Sequence, residues 1–494
     1  MMIPKVLGIE TEYGISGGPD NDPVTASGLV VNAYAQQGTT RLHWDFTHES
    51  PGNDARTTTD QHARPPAIER ELANTVLTNG ARLYVDHAHP EYSSPEVRTP
   101  RQGVLYDVAG EEIMRRAMLA VNETLPPELA VRLFKNNSDG KGNAYGMHEN
   151  YLTSREVPFD DLVQGLIGHF ISRCIVTGAG KVGAETDETR GYGAPYSISA
   201  RAEFFEEIVG LETTLKRPII NTRDEPHCDP RTLRRLHVIN GDANMSQVAT
   251  LLKLGVTSLL LARIEERGIA GLPPVPIRPV SAFRAFSRDP LLATAVDTDH
   301  GRWTALNYQE ALLEDLRHFH AVSDTASCAP RHEVDEILSV WEFILDGLRT
   351  NRDTLHTHVD WIAKLRIVEG FQERHGLAWD DPRLKAIDLQ YHDIDRARSL
   401  GYRAGLASLV APEAAEHAVL SPPKDTRAYF RGEIIRRFPD AVVTANWDSI
   451  VLDTGEGPYK RLTMADPLRG TKVLTESLLS GCSSAADVVV AMTD

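Results

Sequence analysis

The sequence predicts an α+β protein, and three observations carry that reading. Short stretches alternating apolar with polar residues lie near the N-terminus, apolar stripes of period 3.6 follow, and the composition is globular, 41% hydrophobic and 24% charged over 494 residues. That length has room for one large domain with an appendage, or for two to four ordinary ones. Basic side chains number 52 and acidic ones 69, a net charge of −17, which argues against a broad basic face for nucleic acid or anionic membrane. Cys174, Cys228, Cys328 and Cys482 are far apart and form no CxxC pair, so a reducing compartment is expected and a thiolate metal site is not. The start Met1-Met2-Ile3-Pro4-Lys5-Val6 lacks the features of a signal peptide and no run of 18 apolar residues occurs, so the expected location is the cytoplasm.

The first element, Lys5-Val6-Leu7-Gly8-Ile9-Glu10-Thr11-Glu12-Tyr13-Gly14, is short and alternating, a strand with Glu10 and Glu12 on one face. Thr47 to Pro66 then runs for twenty residues without Val, Ile, Leu, Met, an aromatic or Cys. It cannot bury enough apolar surface to fold alone and is expected to be a mobile loop, either a lid over the site or a passive insertion. A second strand sets Arg82, Tyr84 and Asp86 on one side and Leu83 and Val85 on the other. Gly183 to Gly193 is a second candidate for mobility. Asn244 with Gln247 resembles a capping box opening a helix, and Gly268 to Val280 is Pro-rich and expected to be an extended connector. Val334, Leu338, Trp341, Leu345 and Leu348 form one helical stripe. Pro422-Pro423 suggests a boundary near residue 420, dividing a large domain, 1–420, from a small one, 421–494.

Glu10, Glu12, Asp86, Glu91 and Glu96, with His87, His89, His148 and His237, supply the donors of a site for hard divalent cations. Magnesium prefers oxygen ligands and commonly shares them with nucleotide phosphates. An isolated strand carboxylate is as readily a solvated surface group; two on one strand opening a globular core favour a functional reading, because unpaired buried carboxylates are costly. Zinc is the competing metal, suggested by His87-Ala88-His89 and His148-Glu149, but no HExxH is present. Neither GxxxxGK[ST] nor a GxGxxG between strand and helix occurs, so any ATP is held by other means.

Gly8-Ile9-Glu10-Thr11-Glu12-Tyr13-Gly14, Arg82-Leu83-Tyr84-Val85-Asp86, His89-Pro90-Glu91-Tyr92, His148-Glu149-Asn150-Tyr151, Thr214-Leu215-Lys216-Arg217, Asn221-Thr222-Arg223-Asp224-Glu225-Pro226-His227, Arg235-Leu236-His237-Val238-Ile239-Asn240-Gly241-Asp242-Ala243-Asn244 and Asn446-Trp447-Asp448-Ser449 occur in that order. Together they closely resemble the Pup ligase and Pup deamidase/depupylase family, itself similar to glutamine synthetase and the carboxylate-amine ligases. The resemblance implies a large domain with a curved, mainly antiparallel sheet covered by helices, an open active-site face, and a small C-terminal domain. It also implies one of two opposed activities on the small disordered modifier Pup. One joins the C-terminal glutamate of Pup to lysines; the other deamidates a C-terminal Pup glutamine and releases Pup from lysines. The long polar insertion and the wording Asp86-His87-Ala88-His89-Pro90-Glu91 resemble the deamidase/depupylase branch, with the ligase as runner-up.

By the same resemblance Glu10, Tyr84 and Glu91 are magnesium ligands, Glu12 a second-metal ligand, and His148 and His237 metal or phosphate partners. Arg82 and Ser94 contact ATP, with Ser93 offering a neighbouring register for that hydroxyl, and Trp447 packs on the nucleotide. Arg217 and Arg223 either bind phosphate or the modifier's terminal carboxylate or make ordinary surface ion pairs. Asp86 is implied as the catalytic proton acceptor or nucleophile. ATP is implied as a bound cofactor rather than stoichiometric fuel, since amide hydrolysis is downhill. The expected partners are Pup and pupylated proteins; because Pup is acidic, its docking face should concentrate local basic and apolar groups. A silent Pup-binding adaptor and a small-molecule glutamate ligase are the rivals of other kinds.

Overall fold

The computed structural model describes residues 2–36, 42–47, 49–56, 72–183 and 195–493. At its centre six strands pair antiparallel in the order Leu233–Val238, Met147–Ser154, Leu7–Glu12, His89–Ser93, Arg82–Asp86, Asn74–Val76. Period-two alternation divides their side chains between two faces. Ile9, Leu83, Val85, Tyr92, Tyr151 and Leu236 lie on one face and are all buried, each such side chain contributing roughly 1.5–3 kcal/mol.

Register places the other set in rows across the open face. His148, Glu10, Ser93, Arg82 and Val76 are successive partners, as are Glu12, Glu91, Tyr84 and Asn74, and Asp86 pairs with His89. The arginine, phenol and carboxylate expected on one side of the second strand are there, with Leu83 and Val85 opposed to them.

Helix Pro100–Asn122 covers the apolar face, and two glycines let it lie close. A Cβ at Gly103 would stand 2.4 Å from a Leu254 methyl, and one at Gly110 would stand 2.2 Å from the Tyr92 ring. Behind it runs Gln247–Arg267, a helix long and apolar enough to cross a membrane but buried along almost its whole length as a core element. Its cap corrects the sequence reading: Ser246, not Asn244, accepts the Ala249 N–H, while Asn244 donates to the Thr177 carbonyl and to Asp360. The Pro-rich connector ends sooner than expected, because Pro279 opens helix Pro279–Ser287, where its fixed φ suits the first turn. The stripe from Val334 to Leu348 forms the buried side of helix Arg331–Thr350.

Tyr429, Phe430, Ile434, Ile450, Leu462 and Val488 belong to a second hydrophobic cluster that also takes in Leu42, Trp44 and Val76. Its sheet runs Lys460–Thr463, Ser449–Leu452, Val442–Ala445, His43–Trp44, the last joining in parallel. A strand from the first fifty residues thus completes the C-terminal sheet. Of the polar stretch Thr47 to Pro66, residues 48 and 57–66 lie outside the described residues, as do 184–193 of the second candidate for mobility. The described part is tied down: Ala55 N–H donates to the Thr222 carbonyl at 2.8 Å, Asp224 N–H to Asn53 at 2.9 Å and Ser50 N–H to Glu225 at 2.6 Å.

Candidate active site

Two ligand sets form on the open face. In one, Glu10, His148 and His237 bring an oxygen or nitrogen each within 4.8 Å of one another; in the other Glu12, Asp86 and Glu91 do the same. Glu10 and Glu12 share a face of one strand, so the two sets are adjacent.

Glu10 accepts from Asn150 Nδ2 at 2.8 Å and lies 3.3 Å from His148 Nδ1 and 3.6 Å from Arg235. Burial would raise its pKa, but the His148 hydrogen bond and the charge of Arg235 hold it well below the usual carboxylate range. His237 lies opposite Asn150, 3.0 Å from its Oδ1, and burial keeps the imidazole neutral against the pull of Glu10, the form a metal ligand requires. Glu12 accepts the Gly146 N–H at 2.7 Å and lies 3.5 Å from His89.

Glu91 is the electrostatic centre of the second set. Burial first, then the charges of Asp86, Glu12 and Glu10, push its pKa well above the ordinary value, and Tyr84 hydrogen-bonds to it. Burial likewise pushes the Tyr84 phenol far up. Asp86 goes the other way: burial opposes ionisation, but its bond to His87, at 3.0 Å, and the charges of His148 and Arg82 leave it below the usual range. Three crowded carboxylates that cannot all ionise cheaply are a donor set suited to a hard divalent cation.

Arg82 is clamped between rings, its guanidinium carbon 4.1 Å from the centre of Trp44 and 3.8 Å from that of Tyr84. Trp44 meets Trp447 edge to face at 5.2 Å, and Arg431 lies 5.2 Å over Trp447 and donates to its carbonyl at 2.9 Å. Arg431 and Arg427 both pair with Glu96, Arg427 Nε at 2.7 Å, so the C-terminal cluster is bolted to the sheet beside the site. Between them opens a cavity lined by Gly8, Glu10, Ser93, Asn150, Arg235 and Trp447, among others.

The structure brings Glu10, Glu12, Arg82, Tyr84, Asp86, Glu91, His148 and His237 to one face, with Trp447 at its rim. Ser94 also borders the cavity, but its hydroxyl accepts from Ile9 N–H and donates to the Pro95 carbonyl; Ser93 is the residue that pairs with both Glu10 and Arg82. Arg223 is 3.1 Å from Glu225 and faces Glu10 and Tyr84. Arg217 lies on the Glu12 flank, donating to the Thr213 and Ala144 carbonyls. Glu149, part of the zinc hint, points to the other face and pairs with Arg173 at 2.6 Å. Asn150 and Arg235 were missed, although the alternation that selects His148 and His237 reaches both two residues away.

The chain belongs to the family described as Pup-ligase protein, whose match covers residues 5–451. It is 46% identical to the depupylase of Acidothermus cellulolyticus over 99% of both chains, and 42% identical to the Pup deamidase/depupylase of Mycolicibacterium smegmatis over 99% of this chain and 100% of that one. The Pup–protein ligase of Micrococcus luteus is 33% identical over 96% of this chain and 97% of its own. Among solved structures, the complex of Pup with its ligase PafA superposes with a TM-score of 0.80 at 30% identity, covering 99% and 95% of the two chains. PafA in complex with ADP gives 0.74 at 32% identity, covering 82% and 89%.

Proposed function

We propose that this protein is an amidohydrolase with a magnesium and ATP site, which deamidates the C-terminal glutamine of Pup and cleaves the isopeptide bond between Pup and substrate lysines. The observation that carries the chemistry is Asp86, ionised at the end of its strand within the carboxylate set it forms with Glu12 and Glu91. The higher identity to depupylases than to the ligase supports hydrolysis over ligation. Pup and pupylated proteins are the partners, and the separated, free cysteines fit a cytoplasmic site of action.

Glu10, Glu12, Tyr84, Glu91, His148 and His237 would hold magnesium, and Arg82, Ser93 or Ser94, Arg223 and Trp447 the nucleotide. When bound, the magnesium ion would supply positive charge that offsets the crowded carboxylates and polarises the substrate amide. Asp86, kept ionised, either meets the amide carbon or takes a proton from the water that does. Residues 421–494 would act as a small domain that closes the nucleotide side through Trp447.

Two measurements probe these assignments. Magnesium should raise the unfolding temperature of the wild type, whereas Glu91→Gln should fold without loss in its absence, since burial already disfavours the charged form, yet lose most of that rise. An equal rise in the variant would remove Glu91 from the metal set. Trp447→Ala should weaken nucleotide binding about tenfold, as expected for one base stacked on an indole; unchanged affinity would make Trp447 a packing residue only. The activity itself is tested by mass spectrometry of Pup ending in glutamine, and of a Pup–lysine conjugate, incubated with protein, magnesium and ATP. Amide-to-acid conversion and release of free Pup are expected; attachment of Pup ending in glutamate to a lysine protein, with neither of those, would identify the ligase.

A further inference from the structure

The strands that carry Arg82, Tyr84, Asp86 and Glu91 are joined by two residues only. Arg82–Asp86 ends at Asp86, His89–Ser93 begins at His89 opposite it, and His87 and Ala88 make the connection. Ser27, wholly buried in helix Pro23–Gln36, donates its hydroxyl to the Ala88 carbonyl at 2.9 Å and ties the connection to that helix. His87 stands in the left-handed region at φ 52°, and Ala88 does not. In a two-residue hairpin loop that first place is one that glycine fills without strain, whereas a residue with a Cβ holds it at a cost. A side chain placed where glycine would serve the backbone better points to a use for that side chain. Packing is not the use, because the His87 ring is 58% exposed. What it touches is Asp86, its Nδ1 lying 3.0 Å from Oδ1. Asp86 is ionised and has no proton to give, so the imidazole is the donor. Among the described residues this is the one hydrogen bond that the Asp86 side chain makes. His89, the other half of the pair that hints at zinc, turns instead to Glu12 at 3.5 Å and to the Tyr145 ring at 4.2 Å.

We propose that His87 is a positioning residue for the hydrolysis: its Nδ1–H holds Oδ1 of the Asp86 carboxylate and leaves Oδ2 to meet the amide or the attacking water. The inference rests on the amidohydrolase reading above and deepens it. A nucleophile or base gains when a third group fixes its orientation, because a side chain that rotates away from the reactive geometry must be brought back at each turnover. Asp86 needs such a group more than its neighbours do. Glu10 is held by Asn150 and Glu12 by the Gly146 N–H, whereas Asp86 ends its strand and has His87 alone. The neutral imidazole suffices for this role, since Nδ1 carries the proton that is donated and none is transferred.

The test uses His87→Gly, which removes the imidazole at a backbone position that glycine accepts, and His87→Asn, which keeps a donor on a residue type that tolerates the left-handed region. kcat and KM are measured for Pup ending in glutamine, with nucleotide affinity measured on each protein. His87→Gly should lower kcat by about 10- to 100-fold, the worth of one hydrogen bond to a charged group, with KM and nucleotide affinity unchanged. His87→Asn should recover part of that loss, and so should imidazole added to His87→Gly, because the vacated place is open to solvent. A kcat for His87→Gly close to that of the wild type would overturn the inference. So would a loss that neither His87→Asn nor added imidazole reverses, which would place the effect in the backbone rather than in the imidazole. No turnover by the wild type would instead refute the amidohydrolase reading on which the inference rests.

Discussion

Asp86→Asn should lower turnover of both Pup substrates by at least about 10³-fold while leaving nucleotide and Pup binding intact, a loss in the range for removing a positioned base and larger if Asp86 attacks the amide itself. The substitution keeps the size of the side chain and removes only its charge. Asp86 is the last residue of its strand, opposite His89 and bonded to His87, away from Ser93, Asn150 and Trp447, which border the cavity proposed for the nucleotide. Nucleotide affinity should therefore survive. His87, next along the chain, is in the left-handed region at φ 52°. Single-turnover assays with saturating nucleotide check the claim; activity within a few-fold of wild type would remove Asp86 from the catalytic role.

Glu96→Gln should be the most destabilising single change at the junction between the sheet and the C-terminal cluster. Glu96 bridges Arg427 and Arg431, and Arg431 also donates to the Gly80 carbonyl and to that of Trp447. Burial works against the charged form, but the two arginines bring the Glu96 carboxyl from 4.5 down to about 2. A lowering of that size corresponds to about 3 kcal/mol at neutral pH, within the ~3–5 kcal/mol typical of breaking a buried pair. Because the folded-state pKa is depressed, this stabilisation is complete above about pH 4.5 and is lost as pH falls towards about 2. Denaturant titrations of the two proteins should therefore differ by roughly 3 kcal/mol at pH 7 and converge in acid. A constant difference across that window would place the energy in packing rather than in the charge pair. Trp447 loses its anchor in the variant, so nucleotide affinity should fall with stability.

How much of this is legible in the sequence depends on whether a feature is local. Alternation alone places Glu10 with Glu12, and Arg82 with Tyr84 and Asp86, because a strand's period of two is a local property. Which strands neighbour one another is not, so the rows that set Glu10 between His148 and Ser93 appear only with the register. The ambiguity between Ser93 and Ser94 has the same origin. Asn244 imitates a helix cap because Asn and Ser are both good cap residues; what selects Ser246 is distant, the Asp360 carboxylate that receives both the Asn244 side chain and the Ser246 N–H. His43–Trp44 carries no strand pattern of its own and becomes one by pairing with Val442–Ala445, some four hundred residues later.

The central claim is that the Asp86 face adds water to an amide of Pup. The most direct measurement is to digest a Pup–lysine conjugate with this protein, magnesium and ATP in heavy-oxygen water and weigh the released Pup. The account predicts free Pup carrying the label in its new C-terminal side-chain carboxylate, with no label gained when Asp86→Asn is used. Pup that is never released, or that is instead joined to further lysines as ATP is consumed, would contradict it.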